Sequence, residues 1–336
     1  MGRVGRARRR ACAVGVMVAV ALGSACSGAG ERPEPEPAPS RTHQKAGAAY
    51  WVNPDGNAAR QAAAFRAAGQ QREAELIQRI ATRPSGEWLG GGDAEHEARG
   101  VTGAAAGQGK SALLVLYNLP HRDCGQYSRG GAQDATAYRA WLDGVVRGID
   151  DRPATVIVEP DALPHLLQPG CTPEEFHEER YALLREAVDR LKALPRTKVY
   201  LDGGNPGFGQ DRQALAEALR RAGVKDADGF SVNVSNFFTT QASTDYGRHV
   251  SDLLAGPHFV IDTSRNGNGP WQGEEEWCNP PGRALGEAPA DQTADPLVDA
   301  YLWIKRPGES DGPCRGGPPA GQWWQEYALE LARNTK

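Results

Sequence analysis

Residues 155–163 read TVIVEPDAL. Val156, Ile157 and Val158 form an unbroken β-branched run, the pattern of a strand buried on both faces, and the run stops at Glu159, Pro160 and Asp161. A pair of carboxyls therefore stands where a buried strand ends. The same arrangement returns along the chain: LLVLYN runs up to Asp123, KVYLD ends at Asp202, HFVID ends at Asp262, and AYLWIK precedes Asp311. Helical patterns separate these strands, and the alternation predicts an α/β fold built on a parallel barrel rather than a sandwich. In such a barrel the residues just past the C-terminal strand ends line one face, where chemistry is placed.

Several acids then converge on one cleft, and their mutual repulsion and partial desolvation drive their pKa values apart. One carboxyl can stay protonated while another stays ionised, which is the equipment of a glycosidase. Asp161 is the first candidate for the acid, with a helix cap or a barrel salt bridge as its structural alternative. Asp123 could share a proton with Asp161 or simply pair with Arg122. Asp311 lies in a polar turn with Lys305 and Glu309 and is a candidate base, although most Asp-Gly pairs are only turns. Asp202 and Asp262 read as acids tying adjacent loops. Of eight tryptophans, Trp141 and Trp303 fit core positions, whereas Trp51, Trp88, Trp271 and Trp277 lie at strand ends or in loops, where an indole can stack on a sugar face. Trp323 and Trp324 are adjacent, so at most one is expected to face inward from the last helix.

Five arginines precede an apolar run over residues 11–22, an export signal expected over residues 1–26. Cleavage after Ala25 and lipid attachment at Cys26 are both compatible with it. Residues 27–49 are rich in Pro, Glu and small residues and read as an unfolded linker, leaving residues 50–336 as one catalytic barrel domain. Loss of the five leader arginines takes the formal charge from −4 to −9, which excludes nucleic acid and anionic membrane surfaces as natural partners. Beyond Cys12 and Cys26, four cysteines remain, Cys124, Cys171, Cys278 and Cys314, enough for two disulfides in an exported domain. Spacing leaves three pairings open. No metal-binding or cofactor-binding pattern, nucleophile elbow or phosphate loop is found, and a monomer is the default.

The pattern predicts a short strand at residues 50–52, one long helix over 58–80, a brief strand at 87–89 and helices over 94–107 and 138–149. A helix over 173–194 is expected to be capped by Thr172, and the series closes with a strand at 301–305 and a helix over 321–334.

LVLYNLPHRDCG, VIVEPDAL, YLDGG, VIDTSRNGNGP, WCNPPGRALG, DAYLWIKRPGESDG and AGQWWQEYALELARN, in this order, resemble glycoside hydrolase family 6, the inverting cellulases. The likeness runs from Tyr50 to the end and is closest to bacterial endoglucanases. It implies a distorted parallel barrel of about seven strands that cleaves β-1,4-glucan. By the same resemblance Asp161 is the proton donor, Asp123 modulates its pKa, Asp311 is the base, acting directly or through water, and Tyr117 presses on the distorted sugar. Trp88 and Trp277 match stacking platforms, and Lys305 and Glu309 match groups that hold hydroxyls. Asp202 matches a structural acid near the site and, with Ser128, Asn205 and Asn236, completes the expected substrate contacts. The implied disulfides are Cys124 with Cys171 and Cys278 with Cys314. The sequence departs from the family at Asn205 and Phe208, where a histidine and a tryptophan are usual. A weaker grip on the leaving-group side follows, with a different or decorated β-glucan, or a glucan-binding surface lipoprotein, as alternative readings. The short domain implies an open cleft cut for internal bonds.

Overall fold

The computed structural model describes residues 50–336 apart from Gln210 and Gln292. The expected leader, the linker and Cys26 lie outside the described residues. Among these, seven strands run parallel in chain order: β1 (Glu87–Leu89), β2 (Ala112–Leu116), β3 (Ala154–Val158), β4 (Thr197–Asp202), β5 (Gly229–Val232), β6 (His258–Asp262) and β7 (Val298–Leu302). They curve into a half-barrel.

Alternate residues of each strand face opposite cores. Leu113, Val115, Ile157, Tyr200, Val260 and Leu302 fill the inside, and register places Trp88, Val115, Ile157 and Tyr200 in one layer. Leu114, Leu116, Val156, Val158, Leu201 and Ile261 point outward into the apolar faces of the helices. These are α3 (Ala94–Gly107), α4 (Ala135–Ile149), α6 (His177–Lys192), α7 (Arg212–Arg221) and α8 (Thr240–Leu253). Full burial of each such aliphatic side chain contributes about 1.5–3 kcal/mol, which is why the runs are mostly apolar on both faces.

The two ends of the sheet meet at a seam. Gly86 N–H donates to Trp303 O at 2.8 Å, and the Trp88 indole N–H donates to Ile304 O at 2.9 Å. A Cβ on Gly86 would lie 2.4 Å from Ile304 O and 2.7 Å from a Val115 methyl, so only glycine permits the approach. Outside the seam, α1 (Asn57–Ala67) and α2 (Gln71–Ala81) join α9 (Gln325–Asn334) in a second core around Phe65, Ile77, Tyr327 and Leu331.

Several expected boundaries are corrected. The helix over 58–80 is two helices, parted at Gly69 with φ +74°. Residues 50–52 make one bridge, Tyr50 to Ser111, rather than a strand. Thr172 caps nothing: a 3₁₀ turn at Glu174–Phe176 precedes α6, and the Thr172 hydroxyl is buried without a hydrogen bond. β7 starts three residues before the expected 301, which puts Lys305 in the loop beyond it, and α9 starts at Gln325. A short helix, α5 (Ala162–Leu167), directly follows Asp161 and has no counterpart in the sequence reading.

Candidate active site

The loops beyond the C-terminal strand ends enclose a cleft of about 740 Å³. Asp123, Asp161 and Asp311 all line it, from three different loops.

Asp161 is held by its backbone. β3 ends in Glu159 with φ +50° and Asp161 with φ +66°, left-handed conformations that cost of order 1 kcal/mol or more unless the surroundings impose them. Two buried carboxylates impose them here. Glu159 accepts the N–H groups of Asn118 and Leu119, each at 2.9 Å, which ties the β2 and β3 loops together. Asp202, at the end of β4, accepts the Asp161 N–H at 2.8 Å and the Ser231 hydroxyl at 3.2 Å. The Asp161 side chain makes no cap to α5, so the helix-cap alternative is not realised. Burial, and then the negative charge of Asp123, push its carboxyl from 3.8 to about 7, and burial, then the charge of Asp161, push Asp202 behind it to about 7 as well, so the two carboxyls titrate together.

Among the described residues Asp123 makes no ion pair, although Arg122 and His165 lie near enough to attract its charge. Its carboxylate accepts the Ser128 N–H, and burial raises its pKa. Arg122 does not pair with it: the guanidinium donates to Ser128 O at 2.8 Å and to Tyr117 O, and stacks 4.5 Å over the Tyr117 ring. Burial, followed by the charges of Asp161 and Asp123, keeps the Tyr117 phenol protonated. The loop is pinned by the disulfide Cys124–Cys171, and the second disulfide, Cys278–Cys314, ties the loop of Trp277 to that of Asp311. Both pairings implied by the resemblance are formed. His165, beside the first disulfide, is held neutral: burial lowers its pKa to about 4 despite Asp123. Among the described residues Cys124, His165 and Cys171 are the one group placed to hold a metal ion, but the two sulfurs are bonded to each other.

Asp311 is a different kind of acid. Its carboxylate accepts from Arg265 at 2.8 Å and from the Asn279 N–H at 3.0 Å, and Lys305 Nζ lies 3.4 Å away. Burial alone would raise its pKa, yet Arg265 and Lys305 hold it below the ordinary value. It is the cleft acid least ready to take up a proton. Arg265 is fully buried and stacks 4.3 Å over Phe237.

The sequence reads Asp202 both as a structural acid near the site and as a substrate contact, and its position fits the first. It is 2% exposed and stands behind Asp161 as its backbone anchor, away from the cleft lining. Asp262 is the tie that the sequence suggested, accepting the N–H groups of Ser235, Ser264 and Lys305. Trp88 and Trp277 line the cleft, as do Ser128, Asn205, Asn236, Lys305 and Glu309. Trp51, by contrast, is buried in the core, and Trp271 lies outside the cleft lining, under Arg315 at 4.6 Å. Trp141 and Trp303 are buried, and Trp323 and Trp324 both pack half-buried against the α1, α2 and α9 core. Tyr127, 42% exposed, reaches from the β2 loop to within 5.9 Å of the Trp277 ring and rests on Gly312, so the loops after β2, β6 and β7 touch one another beside the acids.

A family model described as glycosyl hydrolases family 6 matches residues 45–335. The chain belongs to this family. It is 44% identical to endoglucanase A of Cellulomonas fimi over 265 residues, which is 78% of this chain and 56% of that protein. It therefore spans little more than half the length of that relative. Endoglucanase 1 of Streptomyces halstedii is 41% identical over 293 residues, 84% of this chain and 88% of the relative. The endoglucanase Cel6 of Mycobacterium tuberculosis, solved in complex with methyl-cellobiosyl-4-deoxy-4-thio-β-D-cellobioside, aligns with a TM-score of 0.80 at 44% identity. That match covers 86% of this chain and 98% of that one.

Within this family 6 cleft the unusual pair is accounted for locally. Asn205 is 4% exposed and its amide oxygen accepts the Gly207 N–H at 2.9 Å, while the half-buried Phe208 ring meets His165 edge-on at 5.9 Å. Sequence reasoning missed Arg265, His165, Tyr127 and Arg306. The only signal for Arg265 was a cation in the exit loop of a buried strand.

Proposed function

We propose that this chain is an inverting glycoside hydrolase that cuts internal β-1,4 bonds of cellulose or a related β-glucan. The observation that carries the reading is the division of labour among the acids: Asp161 is uncharged up to about pH 7 beside Asp123, which makes no ion pair among the described residues, while Asp311 is locked between cations. Asp161 donates its proton to the glycosidic oxygen as the C–O bond breaks. The anomeric carbon passes through an oxocarbenium-like state, stabilised by the Asp123 carboxylate, and water attacks from the opposite face. Because Arg265 and Lys305 weaken Asp311 as a base, the water's proton travels through intervening water towards Asp123, and Asp311 serves to fix Lys305 for the sugar hydroxyls. Trp88 and Trp277 supply stacking surfaces. Endoglucanase names among the relatives support the endo mode, and the two disulfides support export, with Cys26 as the candidate lipid anchor and a monomer as the working unit.

Asn205 favours a second reading, a hydrolase of a decorated or different β-linked polysaccharide on the same scaffold, because its amide oxygen is already engaged by Gly207. The deciding experiment is hydrolysis of carboxymethylcellulose and mixed-linkage β-glucan by wild type and Asp161→Ala, following viscosity, reducing ends and, by NMR, the anomer first released. A rapid viscosity drop, an α-anomer product and loss of both in the variant support the proposal. A β-anomer would refute inversion, and inactivity on both polymers would move the substrate to the second reading.

A further inference from the structure

We infer that Arg306, which lines the cleft beside Glu309, is a positioning residue for substrate binding that acts through Glu309. The inference rests on the proposed role of Glu309 as a hydroxyl-binding group. Arg306 follows Lys305 in the loop after β7, and all three guanidinium nitrogens are engaged. Nε donates to Gly86 O at 2.8 Å, Nη2 to Glu87 Oε2 at 3.0 Å and Nη1 to Glu309 Oε1 at 3.2 Å. The same Glu309 oxygen accepts from Asn57 Nδ2, at the first residue of α1, at 3.0 Å. Asn57 is in turn oriented by Arg60, which donates to its Oδ1 at 2.6 Å, and Glu87 by Asn53 at 3.0 Å.

Two donors thus converge on Oε1, and among the described residues no hydrogen bond is recorded to Oε2. A carboxylate meant only as a structural tie would gain from using both oxygens, as Arg–carboxylate forks do. Here Glu309, 5% exposed on the cleft wall, is gripped by one oxygen and keeps the other to accept from a hydroxyl. The grip comes from the seam, because the donors belong to α1 and to a guanidinium that also holds Gly86 and Glu87. The position of a substrate-binding group is therefore set by the meeting of the first and last parts of the domain.

The test is a double-mutant cycle on cellopentaose hydrolysis with Arg306→Met, Glu309→Ala and the pair. Arg306→Met is expected to raise KM about tenfold with kcat changed by less than about twofold, and to add nothing further in the Glu309→Ala background. An equal rise in KM in both backgrounds would overturn the inference, since a purely structural role is indifferent to Glu309. Asn57→Ala, which leaves the seam bonds in place, carries the same cycle if Arg306→Met does not fold, with a rise of about threefold expected. A wild type inactive on every β-glucan overturns the proposed function and this inference together. An active wild type with additive kinetics overturns this inference alone.

Discussion

Replacing Asp161 with Asn should abolish hydrolysis yet make the protein more stable, and only above a certain pH. In the unfolded chain this carboxyl titrates near 3.8, whereas in the native cleft burial and Asp123 hold it at about 7. Between those values the native state keeps a proton that the unfolded state has released. The group's contribution to stability is intact below pH 3.8, falls as pH rises through the window and is fully lost above about 7. The displacement is roughly three units, and at about 1.36 kcal/mol per unit the loss is at most about 4 kcal/mol. Asn carries no charge to desolvate and adopts the required left-handed backbone more readily than most residues. The gain from Asp161→Asn should therefore be near zero at pH 4 and reach up to about 4 kcal/mol at pH 8.5. Guanidinium unfolding followed by tryptophan fluorescence, with both disulfides intact, measures it at the two pH values. An equal difference at both, or a variant less stable at the higher pH, would show that Asp161 is not held protonated by the native cleft.

Because Asp161 must carry its proton, kcat/KM should fall above about pH 7; Asp123→Asn, which also removes the acceptor of the water's proton, should lower kcat/KM at least about hundredfold at every pH and move the fall of the residual activity towards acid by removing the charge that helps hold the proton. Initial-rate profiles read this directly, and an unmoved limb would uncouple the two residues. Arg265→Met should destabilise by about 3–5 kcal/mol by leaving the Asp311 carboxylate buried with a weaker partner, and Asp311→Asn should recover part of the loss; a drop below about 1 kcal/mol in urea unfolding would count against the buried pair. Gly86→Ala should cost about 1–3 kcal/mol, since its Cβ would press on Ile304 O and a Val115 methyl. Calorimetry showing an unchanged melting temperature would mean the seam can spread.

The central strands were legible because β2, β3 and β5 are buried along their whole length and β4 and β6 over all but one position, so mostly apolar runs appear and give way to polar residues at their ends. Element type followed directly from that, and so did the gathering of the acids on one face. The break between α1 and α2 was hidden because a single glycine at φ +74° in an alanine-rich helical stretch carries no proline to announce it. α5 was hidden because it is only six residues long and contains Pro164. Asp161 and Asp202 look alike in sequence, each an acid at a strand end. Only three-dimensional burial makes one a cleft acid and the other its anchor. The state of Asp311 was illegible for a related reason: its partner Arg265 lies 46 residues earlier, and ion pairs of that reach leave no periodic trace.

The seam has a consequence for how the molecule is made. Its contacts, with those of the neighbouring α1–α2–α9 core, join residues 216 to 262 positions apart, from Trp88 with Ile304 to Gln61 with Trp323. A chain emerging from the ribosome can pair β1 through β6 in order, each with the neighbour just synthesised, but α1 and α2 complete their core only when Leu285, Trp303 and finally α9 appear. Contacts of such long range are formed late because the loop they close carries the largest entropic cost. Until then the nascent protein exposes both a sheet edge and the Phe65–Ile77 surface. It should depend on chaperones up to the release of its final helix, and a chain shortened by only the last dozen residues should remain a collapsed, aggregation-prone intermediate rather than a slightly weakened enzyme.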